Sequence, residues 1–125
     1  MSPFTREQLL ALHQSNTTLE GIDLSGANLE AINLGGVNLN HANLWGARLT
    51  RSHLEGADLS GANLHFANLS GVNLNSTNLR RANLTGANLE GADLDHTDLH
   101  YANLRGARLT GARLGAHLET ERNTS

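Results

Sequence analysis

The densest group of side chains that could do chemistry in this sequence consists of histidines and carboxylates: Asp95, His96, Asp98 and His100. These are residue types that bind metal ions. His96 and His100 stand four residues apart, a spacing that brings two ligands together on an α-helix. The surrounding segment, GANLEGADLDHTDL, repeats every five residues and has no helical pattern of apolar side chains. We therefore predict a solvated surface here, with no metal site and no cofactor.

Other residue arrangements that could support catalysis are not found in the sequence. The chain has no cysteine, and its seven histidines are scattered over separate repeats. No serine or threonine has a histidine and a carboxylate arranged around it, as an activated nucleophile requires. The glycines recur with the period of the repeat and do not form a phosphate-binding loop between a strand and a helix. We therefore expect that the protein is not an enzyme.

The repeat itself is the dominant feature of the sequence. Every fifth residue from Leu19 to Leu114 is leucine, and the residue two places before each leucine is small, most often alanine. The residue two places after each leucine is frequently glycine. The residue just before the leucine is nearly always Asn or Asp, with Thr18, Arg48, His53, Arg108 and Arg113 as exceptions. A pattern this regular indicates a fold in which every repeat has the same local structure.

Each repeat is predicted to form a short extended side followed by a corner. The small residue and the leucine flank the polar residue, so these two share a buried face and the polar residue points outward. The next two residues, often ending in glycine, have the freedom that a tight turn requires. Outward Asn and Asp side chains can bond to the turn backbone or form ladders between stacked coils. One repeat buries almost nothing, so the repeats must stack into a solenoid.

Two segments carry a family resemblance, ADLSGANL at residues 57–64 and ANLTGANLEGADL at residues 82–94. Both resemble the A-[DN]-L-x-x consensus of the pentapeptide-repeat proteins, and the resemblance extends from Thr17 to Leu114. It implies an all-β solenoid, a right-handed quadrilateral β-helix with four repeats in each coil. The chain would then form about five coils, stacked about 4.8 Å apart.

The N-terminal end of such a solenoid needs a cap, because the core of the first coil would otherwise face water. Residues 1–16 are predicted to hold one short capping helix, TREQLLALHQ. Thr5 and Gln8 can form a capping box at its start. An apolar stripe along the helix would cover the first coil, and it consists of Phe4, Leu9 and Leu12. A docking helix for a partner is the alternative.

The C-terminal end offers less cover. Residues 17–116 are predicted to form the repeat domain and residues 117–125 a polar tail, in which Leu118 is the apolar residue. Either this tail or a second molecule would cover the last coil, whose interior holds Leu99, Leu104, Leu109 and Leu114. Other pentapeptide-repeat proteins dimerise through the C-terminal ends of their rods, so the resemblance implies a weak homodimer as one solution.

Composition narrows the classes of partner. The net charge is −3, from nine arginines and no lysine against twelve acidic residues. This mild and mixed charge does not favour phosphate binding, so nucleic acid is not expected as a partner. The start of the sequence lacks the pattern of a signal peptide, and no apolar run is long enough to cross a membrane. We expect a cytoplasmic protein without a membrane partner.

The rare large side chains define a candidate protein-binding patch. On a coil of about twenty residues, Trp45 lies beside His65 and near Phe66, and Arg81 lies beside Tyr101. Exposed aromatic residues and arginine are enriched at the centres of protein interfaces. These residues therefore form a candidate site for a protein partner that the sequence does not identify. The alternative is that outward positions tolerate large side chains and that Arg81 simply stacks on Tyr101.

The family resemblance also raises a second function, a DNA-mimicking inhibitor or protector of type II topoisomerase (gyrase). Such mimicry needs a dense, continuous stripe of negative charge. With about twenty residues per coil, no acidic residue of the repeats lies directly over another. The sequence therefore favours a non-enzymatic structural or protein-interaction scaffold, with the topoisomerase function as the alternative.

Overall fold

The chain folds into a rod of stacked parallel coils, with one helix at its N-terminal end. The computed structural model describes residues 4–115, so the predicted tail at residues 117–125 lies outside the described part. The helix, α1, spans Arg6–Gln14. Two short strands, β1 at Asp93–Leu94 and β2 at Arg113–Leu114, pair in parallel. No helix in the described part of the chain is long and apolar enough to cross a membrane.

The coils stack in a constant register. Single parallel bridges join residues twenty positions apart, from Asp23 with Asn43 to Asn88 with Arg108. Every repeat in this range turns one corner, so four repeats complete a coil and each coil has four sides. The twenty-residue coil expected from the family resemblance is therefore the observed register.

The outward Asn and Asp side chains accept a hydrogen bond from the backbone of the corner that follows them. In the repeat at residues 67–71, the N–H of Asn68 donates one coil back and those of Leu69 and Gly71 donate one coil forward, with N···O distances of 2.7 to 2.9 Å. The N–H of Ala67 donates across the preceding corner. The N–H of Ser70 has no carbonyl in reach and donates to Oδ1 of Asn68 at 3.1 Å. All five backbone donors of the repeat are thus satisfied.

Contacts between stacked Asn side chains are a minor feature of the rod. Nδ2 of Asn43 lies 3.4 Å from Oδ1 of Asp23 one coil below. In the repeats, however, the side-chain Oδ1 accepts the corner N–H two residues ahead, as in Asn63 and Asn83. Of the two roles predicted for these side chains, bonding to the turn backbone is therefore the dominant one.

The second residue of every described corner has a left-handed backbone. Eleven of these residues are glycines, with φ between 63° and 74°. The others in the repeats are non-glycine residues with φ between 56° and 64°: Ala31, His41, Arg51, Phe66, Ser76, Arg81, His96 and Tyr101. Left-handed backbone costs a residue with a Cβ about 1 to 2 kcal/mol. The rod therefore stores strain at the corners that do not use glycine.

The core consists of stacked leucines with small residues between them. Leucines from Leu24 to Leu94 are at most 2% exposed, and the alanine, valine and isoleucine residues two places before them are at most 7% exposed except at Ile22. Helix α1 extends this core at one end, because Leu9 is fully buried in it and Phe4 packs against it. The leucine stripe predicted from the sequence is thus the core of the rod.

Helix α1 is held to the first coil by polar contacts as well. Thr5 and Gln8 form the predicted capping box, in which the Thr5 side chain accepts from the Gln8 N–H. Arg6 reaches over the edge of the first coil and donates to the carbonyl oxygens of Glu30 at 2.7 Å and Asn28 at 3.4 Å. These carbonyls lie at the open edge of the rod, so Arg6 helps to satisfy an edge that has no preceding coil.

The buried polar residues of the core differ in how they are satisfied. Thr77 and Thr97 donate to the carbonyl oxygens of Leu54 and Leu74, at 2.8 and 2.7 Å. The hydroxyl of Ser52, which is also fully buried, has no hydrogen-bond partner among the described residues. A buried hydroxyl without a partner costs about 1 to 3 kcal/mol. Ser52 is therefore a weak point of the core.

Replacing Ser52 by alanine is expected to raise the free energy of unfolding by about 1 kcal/mol, since it removes an unsatisfied buried hydroxyl. Thr77→Val is the matched control, and it should lower the free energy by about 1 kcal/mol because it removes the buried hydrogen bond from the Thr77 hydroxyl to the Leu54 carbonyl. Urea denaturation of the purified variants measures both changes. A Ser52→Ala protein less stable than the wild type would show that this hydroxyl is hydrogen-bonded in solution.

Candidate interaction surface

The exposed large hydrophobic side chains of the described chain all lie along one side of the rod. They are Trp45, Phe66 and Tyr101, which are 49%, 59% and 76% exposed. This side includes its two bordering corners and is called the aromatic side below. In the four coils after the first it comprises residues 40–46, 60–66, 80–86 and 100–106, which stack by the twenty-residue register.

Three of the predicted site residues form a ring cluster at one corner of the aromatic side. The rings of His65 and Phe66 lie 3.8 Å apart, and Trp45 meets Phe66 edge to face at 6.3 Å. His65 is held from the next coil, because its Nδ1 is hydrogen-bonded to the hydroxyl of Thr85. Aromatic pairs of this geometry contribute about 0.5 to 1.5 kcal/mol beyond their buried area. The structure thus brings these three predicted residues into contact around Phe66.

The other two predicted site residues meet at the opposite corner of the same side. The guanidinium of Arg81 lies over the ring of Tyr101, 5.4 Å from its centre. The imidazole of His100 is 6.5 Å from the same ring. No ring contact in the described chain joins this pair to the cluster around Phe66. The predicted patch therefore consists of two clusters, with the outward Asn residues of the side between them.

His41 belongs to the same corner column as Arg81, but the sequence pattern did not assign it to the patch. Its ring lies over Gly61 in the next coil, where any side chain would collide with it. With Ser60, Asn78, Arg80 and Arg81, these residues line a shallow depression of about 280 Å³. The signal that could have identified His41 is its place two residues after a leucine, where glycine is the favourable residue.

The Phe66 ring fills the space over Gly86, and this contact can be tested by substitution. A Cβ at Gly86 would lie 2.6 Å from Cδ1 and Cε1 of Phe66, and φ at Gly86 is +68°. Gly86→Ala is therefore expected to lower the free energy of unfolding by about 2 to 4 kcal/mol, from backbone strain and overpacking together. Denaturant unfolding measures the loss.

Two controls separate these contributions. Gly56 also has φ of +68° but nothing within 4 Å of its Cβ position, so Gly56→Ala should cost only about 1 to 2 kcal/mol of strain. In a Phe66→Gly background, Gly86→Ala should cost no more than Gly56→Ala does. Equal costs in the presence and absence of the ring would show that Phe66 does not lie over Gly86.

The carboxylates and histidines around Asp95 form two separate pairs. His96 Nδ1 lies 3.5 Å from Asp95 Oδ2, and His100 Nδ1 lies 2.6 Å from Asp98 Oδ1. Asp98 is engaged further by Arg80, whose Nη1 lies 3.2 Å from Oδ2. In residues 4–115 no three or more histidine, cysteine or acidic side chains are grouped as a metal site requires. The residues present here form separate surface contacts, two between a histidine and a carboxylate and one ion pair between Arg80 and Asp98.

The two partners of Asp98 change its titration. The hydrogen bond from His100, with a smaller contribution from Arg80, lowers the pKa of Asp98 from 3.8 to about 2. Because folding lowers the pKa of Asp98, its ionised carboxylate stabilises the folded protein above pH 3.8. This stabilisation is lost as the pH falls toward 2. We expect NMR titration of the Asp98 carboxyl carbon to show this midpoint. The same titration in His100→Ala should give a clearly higher midpoint, and an unchanged one would contradict the assignment.

The geometry described so far defines a class of protein. It is a parallel β-solenoid with four sides per coil, a leucine core, corners built by Asn, Asp and Gly, and a single aromatic side. The family description "Pentapeptide repeats" matches in eight copies at residues 15–40, 38–75 and 77–115. The chain belongs to the pentapeptide repeat family. No protein with a curated description matches the sequence.

Several solved structures are similar to this chain, and they are pentapeptide repeat proteins. One from the thylakoid lumen of Arabidopsis thaliana is 31% identical, with 95% of this chain and 79% of that chain covered and a TM-score of 0.51. One from the cyanobacterium Cyanothece is 30% identical over 86% and 92% of the two chains, with a TM-score of 0.49. One from Nostoc is 31% identical over 84% and 75%, also with a TM-score of 0.49.

Proposed function

We propose that this protein is a non-enzymatic interaction scaffold that binds a protein partner through Trp45, His65, Phe66, Arg81 and Tyr101. Its rod would be the right-handed quadrilateral β-helix of about five coils, with α1 as the cap. The observation that supports the proposal is that the exposed large hydrophobic residues of the described chain share one side. A cytoplasmic location is part of the proposal.

Backbone strain is the second support. Phe66, Arg81 and Tyr101 occupy left-handed positions with φ of 60°, 62° and 64°. In the column of Phe66, the other corners described have glycine, at Gly26, Gly46, Gly86 and Gly106. A large aromatic side chain is thus retained where glycine would be more favourable by about 1 kcal/mol. Strained residues of this kind cluster at sites that act on other molecules.

A lysate capture experiment with matched variants tests the proposal. Trp45→Ala/Phe66→Gly removes the ring cluster, and we expect it to fold, because the strain relieved at residue 66 offsets the lost ring contact. Ser76→Gly makes the same backbone change at a corner outside the aromatic side. A partner should be captured by the wild type and by Ser76→Gly and lost with the aromatic variant. The same set of captured proteins for all three would reject the proposal.

The topoisomerase alternative has less support from the charges. The bridge register places Asp23 against Asn43, Asp58 against Asn78, and Asp93 against Arg113, so acidic residues alternate with neutral or basic ones. A duplex mimic needs a continuous row of negative charge. A supercoiling assay with type II topoisomerase separates the two functions, because the scaffold proposal expects no change in the activity of the enzyme.

We also propose a weak homodimer through the last coil. Leu99, Leu104, Leu109 and Leu114 are only partly buried, whereas the leucines one coil earlier are fully buried. Arg108 and Arg113, which would approach their copies in such a dimer, are paired with Glu90 at 2.6 Å and Asp93 at 3.9 Å. Sedimentation equilibrium should show a mass that rises with concentration, and a monomer at every concentration would exclude the dimer. Leu118, the alternative cover, lies outside the described residues.

A further inference from the structure

Charge is distributed unequally around the rod. The aromatic side has no Asp or Glu in residues 40–46, 60–66, 80–86 and 100–106, and its acidic residues are confined to the first coil, at Glu20 and Asp23. The opposite side, two corners away, holds five acidic residues: Glu30, Glu55, Glu90, Asp93 and Asp95. Beyond the first coil the aromatic side therefore has three arginines and no acidic residue, whereas the opposite side has five acidic residues and two arginines, Arg51 and Arg113.

The arginines of the aromatic side differ from the others in their partners. Around the rest of the rod, the arginines of the repeats are paired with carboxylates: Arg48 and Arg51 with Glu30, Arg108 with Glu90, and Arg113 with Asp93. Arg80, at the border of the aromatic side, is paired with Asp98. Arg81 and Arg105 have no carboxylate partner in the described part of the chain, and both belong to the aromatic side.

The outward Asn residues of this side add hydrogen-bond donors. Oδ1 of Asn63, Asn83 and Asn103 accepts the N–H of the following corner, at 3.0 to 3.1 Å. The atom left to face solvent is Nδ2, which only donates. These amides stack in one column between the two corners, at about 4.8 Å per coil. The middle of the aromatic side therefore presents donors and no side-chain acceptor of comparable strength.

We infer that the aromatic side binds an acidic peptide segment, in which Asp or Glu residues accompany an apolar or aromatic anchor. Arg81, Arg105 and the Asn amides would bind the carboxylates, and the rings of Trp45 and Phe66 would bind the anchor. This inference rests on the proposed function and specifies its partner. A nucleic-acid strand fits less well, because its regular phosphates need a row of cations and this side has two arginines without carboxylate partners.

Selection from a random peptide display library tests the inference. The wild type is the bait, and Arg81→Gln/Arg105→Gln is the matched bait that lacks the two arginines. We expect the wild type to enrich peptides rich in Asp and Glu with an apolar or aromatic residue, and the variant to lose them. Enrichment of basic or uncharged peptides, the same peptides on both baits, or no enrichment would overturn the inference.

Fluorescence anisotropy then measures directly how tightly one enriched acidic peptide binds to the protein. Loss of Arg81 and Arg105 should weaken its binding about tenfold, and raised salt should weaken it as well. Arg51→Gln/Arg108→Gln makes the same charge change outside the aromatic side and should leave affinity unchanged. A labelled oligothymidine should bind more weakly than the peptide, and tighter binding would overturn the inference in favour of nucleic acid.

The two proposals can fail separately. If lysate capture depends on Trp45 and Phe66 while the enriched peptides carry no excess of acidic residues, the scaffold function stands and the acidic partner is wrong. If the aromatic variant captures the same proteins as the wild type, the scaffold function itself is wrong. Phe66→Gly in the anisotropy assay tests whether both proposals concern the same site. It should weaken peptide binding while the protein remains folded.

Discussion

Leu64→Ala is expected to lower the free energy of unfolding by about 2 to 5 kcal/mol. Leu64 is fully buried in the middle of the rod, between Leu44 one coil before and Leu84 one coil after, and both neighbours are fully buried too. The backbone on all four sides is fixed by hydrogen bonds between coils, so the walls cannot collapse into the cavity. Leu59→Ala should behave in the same way. Urea or guanidinium unfolding gives the value.

A control for this result lies in the same column of leucines. Leu104 is only partly buried, so Leu104→Ala removes less buried surface and should cost clearly less than Leu64→Ala. Because stability in a repeat protein is shared between neighbouring coils, damage to the central coil also uncouples the two halves of the rod. A cost below about 1 kcal/mol for Leu64→Ala would mean that the leucines do not form a close-packed core.

Deletion of residues 1–14 is expected to cause aggregation or new oligomers. Helix α1 contributes the fully buried Leu9 to the core, and its removal exposes Leu19, Leu24 and Leu29, which are now at most 3% exposed. It also removes the hydrogen bonds from Arg6 to the open edge of the first coil. An uncovered coil edge is a template for pairing with another chain. Light scattering during size-exclusion chromatography measures the change in mass.

The matched control is Arg6→Gln, which keeps the helix and removes only the charged contact with the edge. It should remain in the wild-type oligomeric state and lose about 1 kcal/mol of stability. A truncated protein with the wild-type oligomeric state and an unchanged melting temperature would show that α1 is not needed as a cap. The helix would then be better explained as a docking element for a partner.

Much of the local structure follows from the sequence alone. The alternation of small residue, polar residue and leucine determines which side chains are buried, because successive residues of an extended segment face opposite ways. Asn and Asp at the outward position predict the corner hydrogen bonds found at Asn68 and its equivalents. Glycine two residues after leucine predicts the left-handed corner. The capping box of Thr5 and Gln8 is also a local signal.

Only the tertiary structure determined the number of repeats in a coil and the contacts between outward side chains, because both depend on residues far apart in the sequence. The period of five does not specify how many repeats complete a coil, since that number follows from the stacking of Asp23 on Asn43 and its successors. The patch residues could be assigned to columns, but the position of the Phe66 ring over Gly86 could not. The sequence also could not predict that Arg81 and Arg105 have no carboxylate partner in the described chain. Outward side chains meet across coils, where flexible rotamers and neighbouring charges, and not the local repeat, determine the contacts.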